Sequence, residues 1–117
     1  MSQFNLGSKA FVAGTDLEAY RRVKLSTGSG TQVEYAVAGD AFIGITAARA
    51  NSGEMVSVDL QTTGRTFKMT ASGVVAVGGS FYGAIDGKIS ATVSGSIQGK
   101  VLEASANDGE IIECILV

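Results

Sequence analysis

The chain has 117 residues, enough for one modest core in a single domain, and its 9 Lys and Arg against 11 Asp and Glu leave a formal net charge of −2. No basic run is longer than Arg21-Arg22, so there is no electrostatic footprint for a DNA or RNA partner. The absence of His excludes Ser-His-Asp and Cys-His catalysis and His-based metal sites, and a single cysteine excludes an intrachain disulfide.

Apolar residues make up 45% and charged ones only 17%, a pattern that points to surface covered by a partner or by copies of the chain itself. The first 14 residues show no sustained period. Phe4, Leu6 and Phe11 stand there among Ser, Asn, Gly and Lys, and the segment reads as a flexible arm that orders when those side chains find a surface. A short edge strand or a frayed tail is the equal alternative. The same segment lacks the charged-then-apolar design of a signal peptide, and no stretch approaches the length needed to cross a bilayer, so a soluble protein made in a reducing cytoplasm is expected.

Residues 15–117 read as one β-domain. Thr15-Asp16-Leu17-Glu18 fits a capping box, which predicts at most one brief helix. From Arg21 the period becomes two, with Val23 and Leu25 on one face and Arg22, Lys24 and Ser26 on the other. Val33, Tyr35 and Val37 alternate in the same way after the Gly28-Ser29-Gly30 loop, and the two strands can pair across it. Further strands are expected at 42–46, at 55–60 with Val56, Val58 and Leu60 inward, at 65–70 with Phe67 and Met69 on one face, and at 74–77. Asp86-Gly87 predicts a two-residue turn closing a hairpin between 81–85 and 88–93, because Asp and Gly tolerate the positive φ values such a turn needs. Strands at 97–103 and 110–117 follow. In the last, Ile111, Ile112, Ile115, Leu116 and Val117 put apolar side chains on both faces, so it is expected to lie centrally in the core or at a subunit contact.

One phrase occurs twice. Ala50-Asn51-Ser52-Gly53-Glu54-Met55-Val56-Ser57-Val58-Asp59-Leu60 returns as Ala106-Asn107-Asp108-Gly109-Glu110-Ile111-Ile112-Glu113-Cys114-Ile115-Leu116, and Phe42-Ile43-Gly44 precedes the first as Ile97-Gln98-Gly99 precedes the second. Either an internal duplication or shared hairpin grammar produces this; both give a small closed or stacked β-structure.

No chemistry emerges from the polar residues. Gly83 to Lys88 and Gly95 to Lys100 have one residue too few between their glycines for a phosphate loop and lack Ser or Thr after Lys, so they read as turns. Asp40, Glu54, Asp86, Asp108 and Glu110 sit in turns with no sign of convergence, and Asp beside Gly is ordinary turn usage. Cys114 lies within an apolar strand and reads as a buried thiol. The expectation is a protein without catalytic residues, metal or cofactor.

Val23-Lys24-Leu25-Ser26, Ala38-Gly39-Asp40, Ile43-Gly44-Ile45-Thr46, Gly53-Glu54 with Val56 and Val58, Asp86-Gly87-Lys88, and Gly99-Lys100-Val101-Leu102-Glu103-Ala104 with Gly109-Glu110-Ile111-Ile112-Glu113 together resemble the capsid decoration, or cement, proteins of tailed bacteriophages. The resemblance covers residues 20–117. It implies an all-β fold, a small β-barrel or β-tulip sandwich of short antiparallel strands, usually trimeric. It further implies docking on the outer surface of the assembled head, with the major capsid protein as partner, and stabilisation of the shell. Phe4, Leu6 and Phe11 would then anchor the arm on the capsid, while the last strand forms core or trimer contact. The alternative reading is a β-rich binding module, carbohydrate-binding or part of a tail fibre, which the absence of Trp weakens.

Overall fold

The computed structural model describes residues 7–117, and the fold is all-β. The first half holds β1 (Ser8–Ala13), β2 (Arg22–Leu25), β3 (Gln32–Tyr35), β4 (Gly44–Thr46) and β5 (Met55–Leu60), which close into a barrel in the order β1-β3-β2-β4-β5. All pairs are antiparallel except β1 with β3. Period-two patterning drives the closure. In β5, Val56 and Val58 are buried while Met55 and Ser57 face water, and Phe11, Ala13, Leu17, Val23, Val33 and Ala50 complete the interior.

The second half holds β6 (Thr66–Thr70), β7 (Ser80–Gly83), β8 (Ile89–Ser90), β9 (Gly99–Val101) and β10 (Ile111–Leu116), a five-stranded sheet ordered β6-β10-β9-β7-β8. A parallel bridge between Ala71 and Ile89 brings its two ends together. This curled sheet repeats the first barrel pair by pair. Val12↔Met55 returns as Thr70↔Ile111, Gly44↔Leu60 as Gly99↔Leu116, and Val23↔Gly44 as Phe81↔Gly99. Ala13↔Val33 returns as Ala71↔Ile89, and Leu17↔Ala50 as Val75↔Ser105. Identical registers across five kinds of contact make this an internal repeat of the whole unit, since shared turn grammar fixes only a hairpin.

The interior follows the same map. Phe11, Leu17, Val23, Val33, Val56 and Val58 correspond to Met69, Val75, Phe81, Ile89, Ile112 and Cys114, all buried. Gly44 and Gly99 correspond as well, and each is crossed so closely by the neighbouring strand that a Cβ would strike the backbone carbonyl of Asp59 or Ile115. The two turns before β5 and β10 share Gly53 at φ 88° and Gly109 at φ 89°, each followed by a glutamate that accepts a backbone N–H of its own turn, Glu54 from Asn51 and Glu110 from Ala106. The bridge shows that Ala50 answers to Ser105 and not to Ala106, so the second turn is one residue longer than the sequence match implied.

Four expectations are corrected. The arm assigned to residues 1–14 is, over Ser8–Ala13, a barrel strand paired along its length with β5, with Phe11 5% exposed; the positions on either side of Phe11 are the apolar Ala10 and Val12, so no polar alternation marked it. Thr15-Asp16-Leu17-Glu18 is not helical, because Leu17 exchanges backbone hydrogen bonds of 2.8 and 2.9 Å with Ala50 and plugs the barrel end. Residues 74–77 form a loop with a single bridge at Val75. Asp86 and Gly87 do take positive φ (56° and 70°), but within a 3-10 turn, Ile85–Gly87, one residue longer than a two-residue hairpin loop.

Candidate interaction surfaces

The two barrels meet along a seam built around Arg22. Its side chain is fully buried, and its Nε donates to Lys88 O (3.1 Å), Nη1 to Gln98 Oε1 (3.2 Å), and Nη2 to Ala36 O and Ala84 O (both 3.0 Å). Ala36 belongs to the first barrel and the other three to the second, so one guanidinium ties both together. The second barrel makes room for it with glycine: a Cβ at Gly83 would lie 2.8 Å from Arg22 Nη1, while at Gly87 a Cβ would strike the Arg22 backbone carbonyl at 2.5 Å, so the backbones also approach closely there. Burial pushes the Arg22 pKa down to about 10 against the opposing pull of nearby Asp40, so the group is still charged at neutral pH. Sequence patterning placed Arg22 on the wet face of its strand. The signal that could have found it is the glycine at 83 inside an apolar strand, which leaves space that another side chain must fill.

Backbone groups extend the seam. Tyr20, at φ 61°, gives its carbonyl to Thr70 N–H (2.9 Å) and Oγ1 (3.1 Å), and Gly87 N–H donates to Ala36 O (3.1 Å). In the first barrel the residue matching Thr70, Val12, donates instead to Thr31 O of its own barrel (2.8 Å). The first barrel thus wedges between β6 and β8, which is why the second closes by one bridge only. Beside the seam, Asp40 pairs with Lys24 at 2.8 Å and accepts the Val37 N–H; the Lys24 hydrogen bond first, then Val37, holds its carboxyl below the usual value, and the same bond raises Lys24. A cleft of about 370 Å³ opens between the barrels, lined from both halves by Phe42, Gln61, Thr62, Ile97, Gln98 and Leu116.

Of the sequence-predicted contact residues, Phe4 and Leu6 lie outside the described residues, and Phe11 is interior. In β10, held between β6 and β9, Ile112 and Leu116 are buried, Ile115 is half-buried and Ile111 is exposed, as is Val117 just beyond the strand. Cys114 is fully buried and its thiol is pushed up to about 12 by that burial, with Glu103 and Glu113 adding to it. Among the described residues no group of three or more Cys, Asp and Glu is placed to hold a metal ion, and no helix is long and apolar enough to cross a membrane. Among the described residues, the exposed large apolar ones are Leu25, Val37 and Met55 in the first half, against Val74, Val77, Ile85, Val93, Ile97, Leu102, Ile111 and Val117 in the second.

No family profile and no curated protein matches the chain. Among solved structures, the head fiber gp8.5 N base of bacteriophage phi29 superposes with a TM-score of 0.80 at 17% identity, over 94% of this chain and 92% of that one. The two share a fold over nearly their whole lengths.

Proposed function

We propose that this protein is a structural component of a tailed-phage head: it attaches to the outside of the assembled shell as a homotrimer, bridges neighbouring copies of the major capsid protein, and stabilises the shell without catalysing a reaction. The observation that carries the reading is the near-complete superposition on the base of a phage head fibre. The resemblance of residues 20–117 to capsid decoration proteins, reached from turn and strand phrases alone, points the same way. The crowding of exposed aliphatic side chains on the second barrel supports a protein that works by contact. Three linked copies would also turn modest individual contacts into firm attachment, since each docking event raises the local concentration of the next.

The test is co-sedimentation of the purified protein with empty heads assembled without it, followed by heating of bare and decorated heads. Saturable binding and a higher disruption temperature are expected. Failure to bind heads, or binding to polysaccharide instead, overturns the proposal. The neighbour's place at the base of a fibre favours a second reading, in which the protein seats a projecting fibre; electron microscopy of virions would then show a fibre rising from each attachment point.

A further inference from the structure

The internal repeat lets each surface position of the second barrel be compared with its counterpart in the first, which separates what the fold requires from what it merely carries. At one end of each barrel two loop segments are clasped by an isolated bridge, Leu17↔Ala50 in the first and Val75↔Ser105 in the second. Around the first bridge the surface is charged: Glu18 pairs with Arg49 at 2.9 Å, Asp16 accepts the Ser52 N–H at 2.8 Å, and Ala19 and Ala47 are small. Around the second, Glu18 and Arg49 become Ala76 and Ala104, Asp16 becomes Val74, Ala19 becomes Val77 and Ala47 becomes Leu102. Val74 is 71% exposed, Val77 65% and Leu102 42%. The bridge beneath them is satisfied by its own reciprocal hydrogen bonds, and Val75 and Ser105 are buried, so nothing in the fold asks for these aliphatics.

We propose that this end of the second barrel, residues 73–79 with 102–104, is the surface through which copies of the chain associate. The occupant follows from charge. Where like chains meet about a symmetry axis, equivalent groups crowd together, so charged groups repel while aliphatic ones complement themselves. The patch is cleared of charge at the three positions where its counterpart carries Asp16, Glu18 and Arg49, and the one acid between its members, Glu103, folds back to accept the Glu113 N–H at 2.8 Å. Val74, Val77 and Leu102 are the anchors of the contact. The inference deepens the trimeric reading given above and rests on it for the number of copies.

The first barrel supplies the test, because its residues are known to suit this backbone. Val74→Asp, Val77→Ala and Leu102→Ala, combined in one chain, make the second end resemble the first. In sedimentation velocity over a concentration series the parent protein should associate, and the triple variant should run as a single chain with an unchanged circular dichroism spectrum. A parent protein that stays a single chain at every concentration overturns the proposal, as does a variant that associates like its parent. Should the triple variant fail to fold, amide exchange of the parent decides: protection of residues 74–79 that rises with concentration supports the contact, and protection independent of concentration sinks it. Co-sedimentation with empty heads separates the two readings. Association through the patch with no head binding upholds this contact and removes the head function; a single-chain parent whose head binding is lost in the variant assigns the patch to the shell and overturns self-association.

Discussion

Phe11 and Arg22 are the residues whose roles change most between sequence and structure. Phe11 sits opposite Val56 in the β1–β5 ladder and is 5% exposed, so it is a core side chain of the first barrel. Phe11→Ala should lower unfolding free energy by about 3–5 kcal/mol, as for other buried Phe truncations; a denaturant midpoint equal to that of the parent would return the residue to the surface. Asp40 belongs to the same scale. Its carboxyl is held below its ordinary 3.8 by Lys24 and the Val37 N–H, so the stabilisation it gives is present above that value and is lost as pH falls through the lowered pKa. Lys24, raised above 10.5, contributes below that value and loses its contribution as pH rises through its own raised pKa. Melting temperatures of Asp40→Asn should therefore be less sensitive to acid below about 3.8 than those of the parent, while an identical acid limb would show the pair to be ornamental.

At the scale of elements, β1 is a strand on which the first barrel depends, since it closes the circuit between β5 on one side and β3 on the other. Deleting residues 1–13 removes that strand and should abolish the cooperative melt of the first barrel, whereas an arm would be shed without effect; calorimetry of the truncated chain decides. Much of this layout was legible in the sequence. Alternation placed β2, β3, β5 and β6, and the twice-used turn phrase before β5 and β10 was compatible with a repeat or with shared hairpin grammar alone. What alternation could not reveal was partnership over distance. β1 shows only Phe11 and Ala13 as inward residues and its pairing partner lies far along the chain, while Leu17 carries a helix-start signal that a bridge to Ala50 overrides. The repeat itself was half hidden because its copies agree in register and burial more than in residue type: Val23 answers to Phe81, Val33 to Ile89 and Val58 to Cys114.

For the molecule as a whole, the question is whether two like barrels behave as one unit. Each has its own buried cluster, but the second cluster also takes in Ala36, Phe42 and Ile45 from the first half, and Arg22 reaches across with hydrogen bonds to both. A guanidinium buried among carbonyls is costly to desolvate and still more costly to remove, because the buried Ala84 O would lose its donor, Lys88 O would keep only the Ala84 N–H, and Gln98 Oε1 would lose its partner in the seam. Arg22→Ala should destabilise the chain by about 3 kcal/mol or more, and with the tie cut the single melting transition should split into two, one for each barrel. Arg22→Lys separates charge from geometry: an ammonium keeps the positive charge but cannot reach acceptors on three sides with one rigid fork, so it should recover only a small part of the loss. Full recovery by lysine would mean that charge alone holds the seam, and one unchanged transition in both variants would mean that the apolar contacts of Phe42 and Ile45 suffice to make the two barrels one cooperative body.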